Sequence, residues 1–307
     1  MTTNKKFLCS AGITHFTIFP SGDYKKCNWD WNYKTGTIGN LLQDKEIKFL
    51  SKDELVCPHN YKTVSAAVQQ CYCKRNLQFD LNGNTANLFS KNNECIEKNI
   101  TKVSDLSCKK ATIELVLNTI CNYNCPYCHN SPVKPTTNGN IKNTLIIVKK
   151  LFKQFDVLNF RLALTEPTLA VSFVPFVKFL YANKNKLNNL LVLTNMSKYK
   201  RVIKAAQLLK EKLTVCGSIH ILENNFNPWH VIKLHKSLVR NECGISYHFI
   251  MHPLVEKYST KYEEFFKFFG IKKVHKCEAC GNNWRKVPSD FLPKSYSIVK
   301  LLSNEHK

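Results

Sequence analysis

From residue 111 onward the chain alternates between two hydrophobic periods. Residues 112–117, Thr-Ile-Glu-Leu-Val-Leu, form a β-branched, apolar run of strand length. Residues 143–155 then place Val148, Leu151, Phe152 and Phe155 at helical spacing. The same reading predicts a strand over 160–164 and a helix over 172–181 with Ser172 as its N-cap. A strand over 190–193 and a helix over 199–211 follow, then a strand over 213–219. Asn227-Pro228 opens the next helix, a capping residue followed by proline at the first helical position. A strand over 245–251, a helix over 256–269 and a short strand over 271–274 complete the series. Repeated strand–helix units imply a parallel sheet with right-handed crossovers. Five to six units make a partial barrel, short of the eight that close one. The expected fold class is therefore α/β, a partial (β/α)6 barrel, with chemistry at the carboxyl ends of the strands.

The first third reads differently. Cys9 precedes an alternating run, His15-Phe16-Thr17-Ile18-Phe19, then Pro20-Ser21-Gly22-Asp23, then Tyr24-Lys25-Lys26-Cys27. Two short strands around a Pro/Gly turn predict a hairpin with a cysteine at each end. Cys57, Cys71 and Cys73 follow. The expected organisation is a small cysteine-rich, hairpin-containing region over 1–110, the barrel over 111–276, and a tail over 277–307 that begins Cys277-Glu278-Ala279-Cys280.

Composition narrows the class. Hydrophobic residues make up 44% of the 307 and aromatic residues 11%, enough for a core and against disorder. The formal net charge is +23, from 45 Lys+Arg against 22 Asp+Glu, a field that favours nucleic acid, phosphorylated metabolites or an acidic peptide. The excess is scattered lysine, so solvated faces account for it equally well. No like-charge block or basic–aromatic cluster marks a nucleic-acid groove. Met1-Thr2-Thr3-Asn4-Lys5-Lys6 leads to no apolar signal core. No apolar run reaches the roughly 18 residues of a membrane helix. With 14 cysteines and no export signal, the expected location is cytoplasmic and reducing, where cysteines bind metal or do chemistry.

The densest chemical motif is Cys121-Asn122-Tyr123-Asn124-Cys125-Pro126-Tyr127-Cys128, directly after the first barrel strand. Thiolates are the soft ligands that iron–sulfur clusters take. A [4Fe-4S] cube has four irons, so three cysteines leave one iron able to bind a small molecule. Structural zinc is the rival, since it takes four N/S donors and His129 could be the fourth, although it abuts Cys128.

At these residues the chain resembles the radical S-adenosylmethionine (SAM) superfamily, whose hallmark is Cys-x3-Cys-x2-Cys with an aromatic residue before the third cysteine, here Tyr127. Leu164-Thr165-Glu166-Pro167-Thr168-Leu169 is similar to that family's Gly-Gly-Glu-Pro-Thr-Leu, with Leu164 and Thr165 in place of the glycines. Thr194-Asn195-Met196 is similar to its Thr-Asn-Gly, with Met196 in place of the glycine. The resemblance implies a [4Fe-4S] cluster on Cys121, Cys125 and Cys128. It implies SAM beside it, with Tyr127 near the adenine, Glu166 on the amino group, and Asn195 and Ser218 as further SAM-binding positions. Reductive cleavage of SAM would yield a 5′-deoxyadenosyl radical that abstracts hydrogen from a substrate. An electron donor such as flavodoxin or ferredoxin is implied as partner. The substrate class favoured is a peptide or protein, with carbohydrate and RNA as alternatives.

Gly22 to Cys27 also fits the Gly-x4-Cys that begins the SPASM or twitch extension of such enzymes, although here the region precedes the barrel. This resemblance implies an auxiliary iron–sulfur cluster drawing on Cys9, Cys27, Cys57, Cys71, Cys73, Cys277 and Cys280. Structural zinc on the same thiols is the rival. Cys95, Cys108, Cys216 and Cys243 lack ligand spacing and are expected to be small buried hydrophobes. The non-catalytic alternative is a metal-stapled nucleic-acid-binding protein.

Overall fold

The computed structural model describes residues 8–9, 15–25, 37–50, 78–79, 109–125, 128, 139–251 and 253–278; for 8–9, 78–79, 253–254 and 278 it describes the backbone alone. In chain order the strands are β1 (Leu8–Cys9), β2 (His15–Ile18), β3 (Asp23–Lys25), β4 (Gly39–Asn40), β5 (Gln78–Phe79) and β6 (Lys110–Leu115). Then come α1 (Ile141–Gln154), β7 (Val157–Leu162), α2 (Phe173–Ala182), β8 (Leu187–Thr194), α3 (Tyr199–Leu209), β9 (Leu213–Ile219), α4 (Pro228–Arg240), β10 (Gly244–Met251), α5 (Pro253–Phe268) and β11 (His275–Glu278). The fold is mixed α/β with a nine-strand, mostly parallel sheet. The chain divides into two compact units, Met1–Leu115 with Ile146–Asn159, and Val116–Leu145 with Phe160–Lys307.

In the first unit β2 runs parallel to β6, in register from His15↔Thr112 to Ile18↔Leu115. All four residues of β2 are buried. A strand with no wet face needs cover on both sides, which is how parallel strands are used. β3 returns antiparallel beside β2, and β4 antiparallel beside β3. Gly22 makes the β2–β3 turn at φ +88°, a backbone that favours glycine. The later turns of α1 belong here: Lys150 Nζ donates to the carbonyls of Leu41 (2.7 Å) and Asp44 (2.6 Å), and Gln154 exchanges two hydrogen bonds with the backbone of Ile47. β1 and β5 form a separate two-stranded antiparallel sheet.

In the second unit β8, β9, β10 and β11 are parallel neighbours. α4 starts as its sequence implies, with Asn227 Oδ1 accepting from Trp229 N at 2.9 Å and Pro228 at the first position. Ser172 stands at the N-cap of α2, but its hydroxyl makes no capping bond. The last strand departs from expectation, lying at His275–Glu278 and not at 271–274. Gly270, at φ +92°, and Ile271 end α5 by donating to the carbonyls of Lys267 and Phe266. This is a Schellman-type stop in which the buried Ile271 is the apolar residue that seals the helix end. Cys277 consequently lies within β11 and not after it. Among the described residues, no helix is long and apolar enough to cross a membrane.

Candidate functional site

The described side chains of the site belong to the second unit, most of them at or just past the end of a parallel strand. Past β6, Asn118 fixes the path into the cysteine loop. Its Nδ2 donates to the Glu166 carbonyl (3.0 Å), and its Oδ1 accepts from Ile120 N (3.1 Å) and from the Thr165 hydroxyl (2.9 Å). Thr165, standing where the resembling motif has glycine, is thereby put to use. Gly139 passes so close that a Cβ on it would lie 2.1 Å from the Leu117 carbonyl oxygen, and its φ is +65°. Only glycine fits there.

Past β7, Leu164 takes φ +81°, and past β8, Met196 takes φ +62°. Both are glycines in the resembling motifs, and both keep a left-handed backbone that glycine adopts at less cost. Between them lies Glu166, 1% exposed. Its Oε1 accepts from Thr168 N (3.2 Å), the Thr168 hydroxyl and the Thr194 hydroxyl (2.8 Å), and its Oε2 accepts from Asn195 N (2.6 Å). These donors occupy most of the roughly four sites a carboxylate offers. Burial outweighs them and holds the Glu166 carboxyl above its ordinary pKa. The carboxylate thus clamps the end of β8 to the 3-10 turn Pro167–Leu169. Arg201 on α3 braces the same turn, donating to the carbonyls of Thr168 (2.9 Å), Leu169 (3.4 Å) and Ala170 (3.0 Å).

Cys121, Cys125 and Cys128 are thiols, exposed, buried and half-buried respectively. Cys128 N donates to the Cys125 carbonyl at 3.0 Å. Asn195 Nδ2 donates to Asn122 Oδ1 (3.1 Å) and approaches Cys121 Sγ (3.8 Å). His220, directly after β9, places Nδ1 3.4 Å from Cys125 Sγ, and its ring meets Tyr123 edge-on with centroids 5.8 Å apart. Glu223 accepts from Asn124 N at 3.1 Å. Burial pushes the Cys125 thiol up, and the charge of Glu223 adds to it. Burial also lowers His220 to about 4, so its imidazole is neutral. A bound cation inverts such thiol shifts, since coordinating thiols are deprotonated outright.

Ser218 is half-buried in β9, in register with His248 of β10. Cys277 Sγ lies 2.9 Å from His248 Nδ1, and the His248 ring stacks on His275 with centroids 5.3 Å apart. Cys243 is buried and Cys216 half-buried. Tyr127, Cys27, Cys57, Cys71, Cys73, Cys95, Cys108, His129 and Cys280 lie outside the described residues, and Cys9 is described by backbone alone. Among the described residues, no three His, Cys, Asp or Glu side chains gather as around a single metal ion. Sequence reasoning missed Asn118, Arg201, His220, Glu223 and His248. For His220 a signal existed, because it immediately follows the strand at 213–219, where chemistry is expected in a parallel sheet.

No family model and no curated protein matches the chain. Among solved structures it is similar to native anSMEcpe with bound AdoMet (S-adenosylmethionine), at TM-score 0.45 and 16% identity, over 58% of this chain and 54% of that one. It is similar to native anSMEcpe with bound AdoMet and Kp18Cys peptide at TM-score 0.45 and 16% identity, over 59% and 55%. For native anSMEcpe with bound AdoMet and Cp18Cys peptide the values are 0.41 and 17%, over 63% and 59%. The chain spans about half the length of the solved structures it matches. At these scores the likeness decides neither fold nor chemistry.

Proposed function

We propose that the chain is a radical SAM enzyme. The observation that carries this reading is the placing of Cys121, Cys125 and Cys128 on the loop after β6, with Asn195 reaching from the end of β8 toward Cys121 and held by Glu166 from the end of β7. The donor set fits a [4Fe-4S] cluster: three soft thiols, with nitrogens of Asn195 and His220 facing two of their sulfurs. When bound, the cluster and SAM supply reductive cleavage of the sulfonium bond and hydrogen abstraction from the substrate. The chain's own part is positional. Cys121, Cys125 and Cys128 would hold the cluster; Asn195, Glu166, Tyr127 and Ser218 make the SAM side; the burial of Cys125 keeps water from its sulfur.

An auxiliary metal site is part of this reading, with Cys277 contributing beside His248 and with Cys9, Cys27, Cys57, Cys71, Cys73 and Cys280 as the other thiols. The partial barrel, the SPASM-like extension, a cytoplasmic location and a flavodoxin- or ferredoxin-type reductant belong to it as well. The substrate in this reading is a peptide or protein, and the net charge of +23 suits an acidic one.

The test is anaerobic reconstitution of the chain, reduction with dithionite, addition of SAM, and assay for 5′-deoxyadenosine. Product that disappears in Cys125→Ala supports the enzyme. Zinc without acid-labile sulfide, and no SAM cleavage, would replace it with the metal-stapled nucleic-acid-binding reading.

A further inference from the structure

We propose that His220 is a positioning residue that donates an N–H···S hydrogen bond to Cys125 and thereby raises the reduction potential of the cluster held there. The assignment rests on the radical SAM reading above, but its evidence is local. His220 Nδ1 is 3.4 Å from Cys125 Sγ. The ring cannot turn away freely, because it is held edge-on against Tyr123 at 5.8 Å, and the Tyr123 hydroxyl is tied in turn to the Asn225 carbonyl at 3.4 Å. Cys125 itself is only 6% exposed, so water does not compete for its sulfur.

Chemistry fixes the direction of the bond. A metal-bound thiolate sulfur has no proton to give and can only accept. The contact therefore persists with the imidazole proton on Nδ1. Each N–H aimed at a ligating sulfur draws electron density from it, stabilising the more negative, reduced cluster and raising its potential. Asn195 Nδ2 at 3.8 Å from Cys121 Sγ is the same device in weaker form. The strand ends of β8 and β9 thus each supply a donor to one cysteine. A cluster poised in this way is reduced by a weaker donor than an unassisted one would need.

The experiment uses the full chain, reconstituted anaerobically as wild type, His220→Gln, His220→Leu and His220→Phe. Iron and sulfide are quantified, and the reduced cluster is followed by electron paramagnetic resonance during a redox titration. We expect unchanged iron and sulfide, a lower midpoint potential in His220→Leu and His220→Phe, and a potential near wild type in His220→Gln, whose amide can still donate. The two apolar variants differ in size, so a packing defect in one leaves the other to report. A cluster whose potential ignores all three substitutions overturns the assignment and leaves the enzyme reading standing. An equal shift in all three overturns it also, because then packing and not the donor sets the potential. A wild-type chain that takes up no iron and sulfide overturns both.

Discussion

The sulfur of Met196 fills the space that a side chain on Gly217 would need: a Cβ built there lies 2.6 Å from Met196 Sδ. Gly217 is in register with Thr194 on one side and Tyr247 on the other, so the missing side chain on β9 is what admits a buried methionine at the end of β8. Gly217→Ala should destabilise the fold by about 1–3 kcal/mol, the usual cost of overpacking. In a Met196→Ala background the same change should cost much less, though not nothing, since Tyr247 Cδ1 also stands 3.0 Å from the built Cβ. A double-mutant cycle by urea denaturation checks this. Additive costs would show that the two residues do not share the space.

Leu164 holds φ +81° with its side chain half-buried, so backbone strain and side-chain burial oppose each other there. Left-handed backbone costs a non-glycine residue about 1–2 kcal/mol, and glycine gives back about 0.5–1 kcal/mol as unfolded-state entropy. Leu164→Gly should therefore change the melting temperature only a little, since relieved strain offsets the lost side-chain burial. Leu164→Val, β-branched, should lower it clearly. A melting temperature that falls as far for glycine as for valine would show that the leucine side chain, not the backbone, matters at 164.

The alternation of strands and helices was legible because burial enforces it residue by residue. β9 was read at its observed bounds since Leu213, Val215 and Ile219 are buried at every second position. β2 was not legible as a neighbour of β6, because pairing partners about a hundred residues apart leave no mark on local periodicity. The strand expected at 271–274 failed because a helix-sealing isoleucine and a strand isoleucine look alike out of context. In the site, cysteine spacing pointed to the loop after β6. Glu166 was legible by position, but not its four donors, since Thr194 and Asn195 reach it only through the fold.

Glu166→Gln should destabilise the chain by at least about 2 kcal/mol, because the new amide turns two hydrogens toward groups that themselves donate. The carboxyl also predicts a pH dependence. Its folded pKa is raised above the ordinary 4.5, so the folded state holds the proton more tightly than the unfolded one. The stability this contributes is full below 4.5 and is lost as pH rises through the folded value. Wild type minus Glu166→Gln, measured by denaturant unfolding across that window, should reveal the falling contribution. A difference that grows with pH would mean the four donors dominate over burial.

Arg201→Ala removes the guanidinium that gathers the carbonyls of Thr168, Leu169 and Ala170. It does not touch Cys121, Cys125 or Cys128. Under the proposed function, SAM affinity should fall several-fold while iron and sulfide per chain stay at the wild-type value. Equal loss of iron would make Arg201 a general fold determinant.

The contact between Cys277 and His248 makes a separate prediction about metal content. Sγ and Nδ1 at 2.9 Å already face each other from adjacent parallel strands, β11 and β10, and the His248 ring stacks on His275. Soft sulfur and imidazole nitrogen are donors that zinc and iron both accept. If they help hold an auxiliary metal, Cys277→Ser and His248→Phe should each lower the metal bound per chain. The absorbance and SAM cleavage that depend on Cys125 should survive in the same samples. The two substitutions should not be additive, because a site that loses either donor is already broken. Inductively coupled plasma analysis for iron and zinc, with sulfide measured in parallel, gives the answer. Metal content indifferent to both changes would make the pair a thiol–imidazole hydrogen bond that fastens β11 to β10 and nothing more.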